Sequence, residues 1–580
     1  MIARRPGVLA QPVLAIAVAV AASLAGQAVQ EWRQSRIYRA LLRGPAVTGV
    51  AAAPRDYRPV GPERARSILL GRMHLAGDTL EIGQGGDPWD TASPSRAFAV
   101  ELHRFAWLHD LVRTPDPRQK PKAVEEALRL CLDWLALFSQ VTPFTWSAET
   151  LERRVYNLAC ALPELAAIAS EDELRRLLQI LAEQARHLLN LNPGRPRAAE
   201  RAVAAAVAAA TLSGRAGSTL LTRALPRAVR AIAEVVLPDG GVRTRSPEQA
   251  MELLLDLLTL DDALHQRGAP TPDDLSRSID RLSGAVRFFT LGDGRLGAFQ
   301  GGESSTAARV TAATANEDPS ARTFDYAPHT GYHRLASRQI QILVDAAPPA
   351  AGPWSTSACA QPLALELTCG GDRLIVNAGW SPDAQGPQAF RMTDAGSTAS
   401  LDESAGAPLS GILAIGLGPR LVGGARRIEA RRNENELGIW LELSHDAWAE
   451  THGLVHERRL FLDLRSNELR GEDRFLPAAR AMQRRRVEPF TVHFHLHQDV
   501  QASLARDKRS VLLRGPSNTG WWFRNDAADA SITPSVYFDG GLPQRTHQIV
   551  LQGAVGLDGH AHVRWKLAPV DAIDQPGPSR

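Results

Sequence analysis

The chain has 580 residues, and its 66 lysines and arginines nearly balance its 63 aspartates and glutamates. Because single hydrophobic cores stop growing well below this length, at least two domains are expected. The balanced charge argues against a nucleic-acid partner, and four scattered cysteines without a CxxC pair argue against a zinc ribbon or a disulfide framework.

The first 30 residues have the pattern of an export signal. Arg4 and Arg5 precede an apolar run that starts at Pro12, and small residues follow it. The run is short for a membrane span of about 20 residues, but an uncleaved anchor and an alanine-rich helical extension stay open. No other membrane insertion is expected. The predicted location is the periplasm or cell envelope, with the cytoplasm as the alternative.

Residues 97–291 show the period of amphipathic helices. Apolar residues recur three and four apart in segments such as AVEEALRLCLDWLALF and ELRRLLQILAEQARHLL. Breaks rich in proline and glycine, such as RTPDPRQKP and LPDGGVRTRSP, separate these segments. The pattern predicts consecutive helical hairpins. AAERAVAAAVAAATLSG is so rich in alanine that it must pack against close neighbours.

After GDGRLGAFQGGESS the period of the apolar residues changes to two. Short segments such as QIQILVDA, LALELTC and RRLFLDL are rich in β-branched and aromatic residues, which predicts a sandwich of antiparallel strands. The predicted fold class is therefore α+β and multidomain. The predicted boundaries are a signal or anchor at 1–30, a helical domain at 31–300, a linker at 301–324, a strand domain at 325–570 and a disordered tail at 571–580.

The segment TVHFHLHQDV, residues 491–500, has histidines at alternate positions. In a strand, His493, His495 and His497 would share one face while the apolar residues turn to the core. The outer two start about 13 Å apart, too far for all three to bind one ion at zinc–nitrogen distances of about 2.0 Å. Two hypotheses stay open: a site using His495 and His497 with help from elsewhere, or a polar face that lines a cleft or meets solvent.

Five strings occur in an order that resembles the heparinase II/III-like family: GGVRTRSPEQAMELLLDL, HTGYHRL, LALELTCGGDRLIVNAG, HGLVHERRLFLD and FHLHQDV. The resemblance implies an incomplete α/α toroid followed by an antiparallel β-sandwich, with a cleft for an acidic polysaccharide between them. Active members are lyases that cleave uronate-containing glycans by β-elimination. That chemistry needs a group to neutralise the uronate carboxylate and a tyrosine or histidine to move protons.

The resemblance suggests site residues in the helical half. LERRVYNLACALP is similar to a cleft-lining helix of the family, so Arg154 and Asn157 are candidate substrate-binding residues and Tyr156 a candidate catalytic residue. Trp107 and His109 in ELHRFAWLHDL suit contact with a sugar ring. Ordinary packing between helices is the alternative for all five.

In the strand half, the resemblance places Tyr332 of HTGYHRL on the first sandwich strand as the leading acid/base candidate. Arg391 of RMTDAGST is a candidate substrate contact. The family's three metal ligands fall on Cys359, Asn377 and Gly396, and its usual catalytic tyrosine falls on Gln249. The expected function is therefore a polysaccharide lyase or, alternatively, a catalytically degenerate protein that binds acidic glycans or acts as a scaffold. The sequence identifies no cofactor and no oligomeric state.

Overall fold

The computed structural model describes most of the chain. The described residues are 31–191, 197–315, 323–380, 388–402, 404–410, 417–479 and 487–570, with the single residues 26, 28, 29 and 414. The predicted signal or anchor at 1–30 and the predicted tail at 571–580 lie almost wholly outside them. Within these ranges, the helices are all too short or too polar to cross a lipid bilayer.

Helices build the first half of the molecule. They are α1 Arg36–Arg43, α2 Pro62–Leu69, α3 Arg96–His103, α4 Leu108–Val112, α5 Lys120–Phe138, α6 Ala148–Ala166, α7 Glu171–Asn190, α8 Ala198–Thr211, α9 Gly214–Val235, α10 Pro247–Gln266, α11 Asp273–Phe289 and α12 Ala307–Thr314. Six of them begin after a serine or threonine whose side chain caps the first turn. At α7 the Ser170 side chain accepts from the Glu173 amide and the Glu173 carboxylate accepts from the Ser170 amide. A small hairpin of β1 Arg72–Leu75 and β2 Asp78–Glu81 interrupts the helices.

The alanine-rich helix α8 lies at the centre of this half. It packs against α6, α7, α9 and α10, and its residues from Val203 to Thr211 are almost completely buried. Alanine side chains let the neighbouring helices approach closely, which compensates for the small apolar area that each buries. This confirms the close packing that the sequence predicts.

Antiparallel strands build the second half. They are β3 Tyr326–Ala327, β4 Tyr332–Ala336, β5 Ile340–Asp345, β6 Leu365–Cys369, β7 Asp372–Val376, β8 Ala399–Leu401, β9 Gly406–Pro408, β10 Leu421–Gly423, β11 Ile428–Glu434, β12 Gly438–His445, β13 Leu454–Asp463, β14 Glu468–Pro477, β15 Glu488–Leu496, β16 Gln501–Leu504, β17 Ser510–Arg514, β18 Gly520–Asn525, β19 Asp529–Asp539, β20 Leu542–Val555 and β21 Ala561–Pro569.

β9 and β10 pair with each other, and the other strands form two large sheets that enclose one hydrophobic core. One sheet has the order β19-β20-β15-β7-β6-β5-β4-β3, with β8 paired to β15, and the other has the order β11-β12-β13-β14-β21-β18-β17-β16. Leucines, valines and aromatic rings from both sheets meet between them. A helical half followed by an antiparallel sandwich confirms the predicted fold class. Within the predicted linker, residues 307–314 form α12, capped by Thr306.

Buried polar contacts join the two halves. Arg245, just before α10, forms an ion pair with Asp345 at the end of β5 and donates to the Thr330 carbonyl at 2.7 Å. Asp239 accepts hydrogen bonds from the His329 and Thr330 amides, both at 2.7 Å. Side chains therefore fill this part of the seam between the halves.

Candidate functional site

Six charged side chains in the helical half form a network that we call the Arg58 cluster. Arg58 contacts three carboxylates, at 3.0 Å from Asp56, 2.9 Å from Glu252 and 2.8 Å from Asp256. Arg153 on α6 binds both oxygens of Asp256 at 2.8 Å, and Arg309 on α12 pairs with Glu252. The cluster is thus the place where the segment before α2 meets α6, α10 and α12.

The Arg58 cluster is electrically balanced. Its three guanidinium groups face three carboxylates, and the most exposed members, Arg309 and Glu252, are only 35% and 25% exposed. Burial alone would raise the pKa of Glu252, but the neighbouring Arg309 and Arg58 hold that pKa well below its usual range. Glu252 therefore stays ionised, and the three carboxylates are paired with the three guanidinium groups. The cluster offers no surplus positive charge to neutralise a uronate.

Tyr156 borders the Arg58 cluster but is buried. Its hydroxyl donates to Thr259 Oγ1 at 2.8 Å and accepts from Arg58 Nη1 at 3.1 Å. Burial, followed by the charge of Asp56, raises the pKa of this hydroxyl well above its usual value. The structure therefore places the candidate acid/base in an internal hydrogen-bond chain.

Arg154 and Asn157 bind backbone carbonyls. Arg154 is completely buried and donates to the carbonyls of His103 and Thr145 at 2.9 and 2.6 Å. The Asn157 amide donates to the Arg104 carbonyl at 2.9 Å. Both side chains tie α6 to the end of α3, and their donors point inward.

Trp107 and His109 are also held by internal contacts. The Trp107 ring is fully buried and its indole nitrogen donates to the Leu102 carbonyl at 3.1 Å. His109 Nε2 donates to the Arg58 carbonyl at 2.9 Å. The structure therefore brings His109 to the edge of the Arg58 cluster but turns Trp107 into the core.

Tyr332 and Arg391 lie inside the strand half and its seam. Tyr332 is fully buried, and its hydroxyl donates to the Arg245 carbonyl at 2.8 Å. Arg391 is fully buried and donates to the carbonyls of Ala358, Ser355 and Pro419 at 2.8, 2.9 and 2.6 Å. Tyr332 and Arg154 therefore do not line a common groove, because the structure places both side chains in packed interior.

Neutral contacts fill the positions on which the resemblance places the family's metal ligands. The Asn377 amide donates to the Ala298 carbonyl at 3.1 Å and accepts from the Ser397 amide at 2.9 Å. Burial raises the pKa of the Cys359 thiol to about 11, so it stays protonated. A Cβ atom at Gly396 would lie 2.9 Å from the Gln361 side chain, which leaves no room for a ligand. These residues do not fit a divalent cation.

The histidine strand is β15, which has neighbours on both sides. His493, His495 and His497 are 9%, 4% and 6% exposed, so their face is buried and neither lines an open cleft nor meets solvent. Both nitrogens of His495 are bonded, to Ser535 Oγ at 2.7 Å and to the Asp394 carbonyl at 2.8 Å. Burial lowers its pKa to about 3. No group of three or more potential metal ligands occurs among the described residues.

Sequence reasoning missed the acidic face of α10, which supplies Glu252 and Asp256 to the Arg58 cluster. Glu248, Glu252 and Asp256 are spaced four residues apart in PEQAMELLLDLL and therefore share one face of α10. Three acids on one face of α10, among mostly apolar neighbours in PEQAMELLLDLL, are the signal that could have revealed a buried network. Burial and the nearby Glu303 raise the pKa of Glu248 to about 8.

Comparison with known proteins gives one relative of nearly equal length. Residues 319–566 match the family model described as Heparinase II/III-like, C-terminal. The chain is 50% identical over 558 residues to FtsZ-localized protein C of Caulobacter vibrioides, a match that covers 95% of this chain and 96% of that one.

Solved structures share the fold at low sequence identity. The crystal structure of heparinase III superposes with a TM-score of 0.69 at 15% identity, covering 94% of this chain and 89% of that one. A mutant of the heparan sulfate lyase HepC from Pedobacter heparinus superposes with a TM-score of 0.58 at 15% identity, covering 93% and 88%. These identities support the architecture alone.

Proposed function

This chain belongs to the heparinase II/III-like family, and we propose that it is a catalytically degenerate member that acts as a binding or scaffolding protein. The observation that carries this proposal is that both candidate catalytic tyrosines use their hydroxyls in contacts inside the protein. The hydroxyls of Tyr332 and Tyr156 donate to protein atoms and have pKa values far above neutrality.

The chemistry of β-elimination supports the same proposal. A uronate C5 proton becomes acidic enough only if a cation or strong donor neutralises the carboxylate. Arg154 and Arg391 direct their donors to backbone carbonyls, and Arg58 and Arg153 are paired with carboxylates. To reach a substrate, each of these groups would have to break buried contacts, which costs about 3–5 kcal/mol for a buried ion pair.

The enzyme hypothesis is tested by incubating the full chain with heparan sulfate, hyaluronan, chondroitin and alginate. Formation of a 4,5-unsaturated uronate is followed by its ultraviolet absorbance, with an active heparinase III as the positive control. We expect no product from any polymer. A product that accumulates in proportion to protein concentration would favour the lyase instead.

The proposed location follows the name of the full-length relative, which places that protein at FtsZ. We propose that this chain shares this location and acts there as a scaffold. A fluorescent fusion expressed in the native host should overlap with labelled FtsZ and should disperse when FtsZ is depleted. A fusion that keeps its distribution after depletion would contradict the proposal.

A further inference from the structure

The outer face of the eight-stranded sheet carries a row of aromatic and basic side chains. Trp440 on β12 lies opposite Phe461 on β13, which lies opposite Arg470 on β14. Arg470 lies opposite Lys566 on β21, and Lys566 lies opposite Arg524 on β18. The row therefore crosses five adjacent strands, or about 19 Å at a strand spacing of about 4.8 Å. We call it the aromatic-basic row.

A second row runs beside the first, two residues along each strand. It consists of Glu442, Arg459, Glu472 and Arg564 in consecutive register. Arg459 lies 3.7 Å from Glu442, and Arg564 lies 2.9 Å from Glu472. This second row neutralises its own charge and forms a polar wall.

The space between the two rows is a groove of about 550 Å³. Its floor is the backbone of Leu460, Gly471 and Trp565, whose own side-chain positions point toward the core because strand residues alternate between faces. Gly471 sits directly against the buried Trp565 ring. The floor is therefore smooth backbone, and the two rows determine what can bind.

The aromatic end of the groove is apolar and accessible. Trp440 is 45% exposed, and its ring stacks on Phe461 with centroids 4.3 Å apart. The guanidinium of Arg470 lies 5.8 Å from the Phe461 ring centre. Trp440 and Arg470 flank Phe461, so no face of the Phe461 ring is open for a sugar to stack on. Trp440 and Phe461 instead form an apolar corner that can receive an inserted side chain.

The basic end of the groove has a surplus of positive charge. Arg470 and Lys566 share a single carboxylate, Glu468, at 2.5 and 2.8 Å. Arg524 lies over the Trp522 ring, and no carboxylate in the described part of the chain forms an ion pair with it. Asp526 also lines the groove, so over the whole groove five cations face four carboxylates, counting Glu468, which leaves one net positive charge for an incoming anion.

We propose that this groove docks an acidic peptide segment of a partner protein. An aliphatic or aromatic side chain of the segment packs against Trp440 and Phe461, and its carboxylates pair with Arg470, Lys566 and Arg524. About six extended residues span the row at about 3.3 Å per residue. The proposal goes beyond the scaffold assignment because it fixes a surface and a partner chemistry. The docking proposal does not depend on the result of the lyase assay.

The test uses a phage-displayed library of random hexapeptides selected on the immobilised full chain. Selection is repeated with counter-selection against the Arg524→Glu variant, which reverses a charge without breaking an ion pair. The enriched peptide is then synthesised with a fluorescent label, and its affinity is measured by polarisation for the wild type, Trp440→Ala and Arg524→Glu. Arg215→Glu, an exposed arginine on α9, is the matched control.

We expect enriched peptides to combine at least two acidic residues with one large apolar residue. Their affinity should fall at least tenfold in both groove variants and with added salt, and should be unchanged in the control. Thermal melting of the variants verifies that they are folded. Enrichment of peptides without acidic residues, or equal binding to wild type and Arg524→Glu, would overturn the proposal. So would groove-dependent binding of a labelled hyaluronan hexasaccharide in place of any peptide.

Discussion

The hydroxyl of Tyr332 donates a 2.8 Å hydrogen bond to the main-chain carbonyl of Arg245 across the seam between the two halves. The Arg245 guanidinium lies 4.9 Å from the centre of the same tyrosine ring and pairs with Asp345. Arg245 therefore contacts Tyr332 twice, through its main-chain carbonyl and through its guanidinium group. Its role in this chain is to hold the helical half against the first sandwich strands.

The hydroxyl of Tyr332 should matter for stability. Replacing Tyr332 by Phe leaves the ring in place and removes the hydrogen bond to Arg245, so we expect the free energy of unfolding to fall by about 1–2 kcal/mol. Urea unfolding followed by tryptophan fluorescence measures the change. Tyr326→Phe is the control, because Tyr326 is 46% exposed and its loss should shift the midpoint little. Equal effects of the two changes would argue against the seam contact.

The ion pair between Arg245 and Asp345 is buried and should be costly to break from one side. Asp345→Asn leaves the Arg245 charge buried without its counter-charge, so we expect a loss of about 3–5 kcal/mol. The control is Glu450→Gln, which disrupts the exposed pair of Arg426 and Glu450 and should cost at most about 1 kcal/mol. Thermal melting of both variants provides the comparison. A small effect of Asp345→Asn would contradict the burial of the ion pair.

The Trp565 ring leaves no room for a side chain at Gly471. A Cβ atom at this position would lie 2.1 Å from the ring, closer than any real contact allows. We expect Gly471→Ala to destabilise the sandwich by about 1–3 kcal/mol because the ring must move in a packed core. Gly61→Ala is the matched control, since a Cβ atom there meets no atom within 4 Å. If both variants melt at the wild-type temperature, the packing around Trp565 is looser than described.

Stability should fall in mild acid because His103 is buried in its neutral form. Its Nδ1 accepts a 2.9 Å hydrogen bond from the Trp134 indole, which can only donate. Burial, followed by the charge of Arg154, lowers the pKa of His103 to about 4 from its ordinary value of 6.5. The unfolded chain therefore takes up this proton first, and stability is lost as the pH falls below about 6.5.

Between pH 7 and pH 5, this single group should remove about 2 kcal/mol from the free energy of unfolding. Urea unfolding at both pH values, for wild type and His103→Gln, isolates its contribution because glutamine does not titrate. The variant should be less stable at pH 7 but should lose less stability on acidification. An identical pH dependence in both proteins would contradict the low pKa.

The sequence predicts the architecture well because local patterns determine it. Helical and strand periods are properties of neighbouring residues, so the helices before Phe289 and the strands after Tyr326 follow from spacing and turn chemistry. The short helix α12 within the predicted linker lacks such a period and was missed. Its eight residues make less than three turns, too few for an apolar stripe to be recognised.

The surroundings of individual side chains were harder to predict. The alternation in β15 is as predicted, but burial of the histidine face depends on Ser535 and the Asp394 carbonyl, which lie 40 and 101 residues away from His495. The pairing of Arg58 with Glu252 likewise spans 194 residues. Contacts at such separations arise from the assembled fold, so a single sequence does not reveal which polar groups are already satisfied.

Tyr332 and Tyr156 have structural roles if their hydroxyls serve only the internal contacts described above. The direct measurement is the rate of unsaturated uronate formation by the full chain at high concentration, with calcium, zinc or manganese added, beside the variants Tyr332→Phe and Tyr156→Phe. We expect no product above the substrate-only blank for all three proteins. Product formed by the wild type and abolished by either phenylalanine substitution, with the fold intact, would contradict these structural roles.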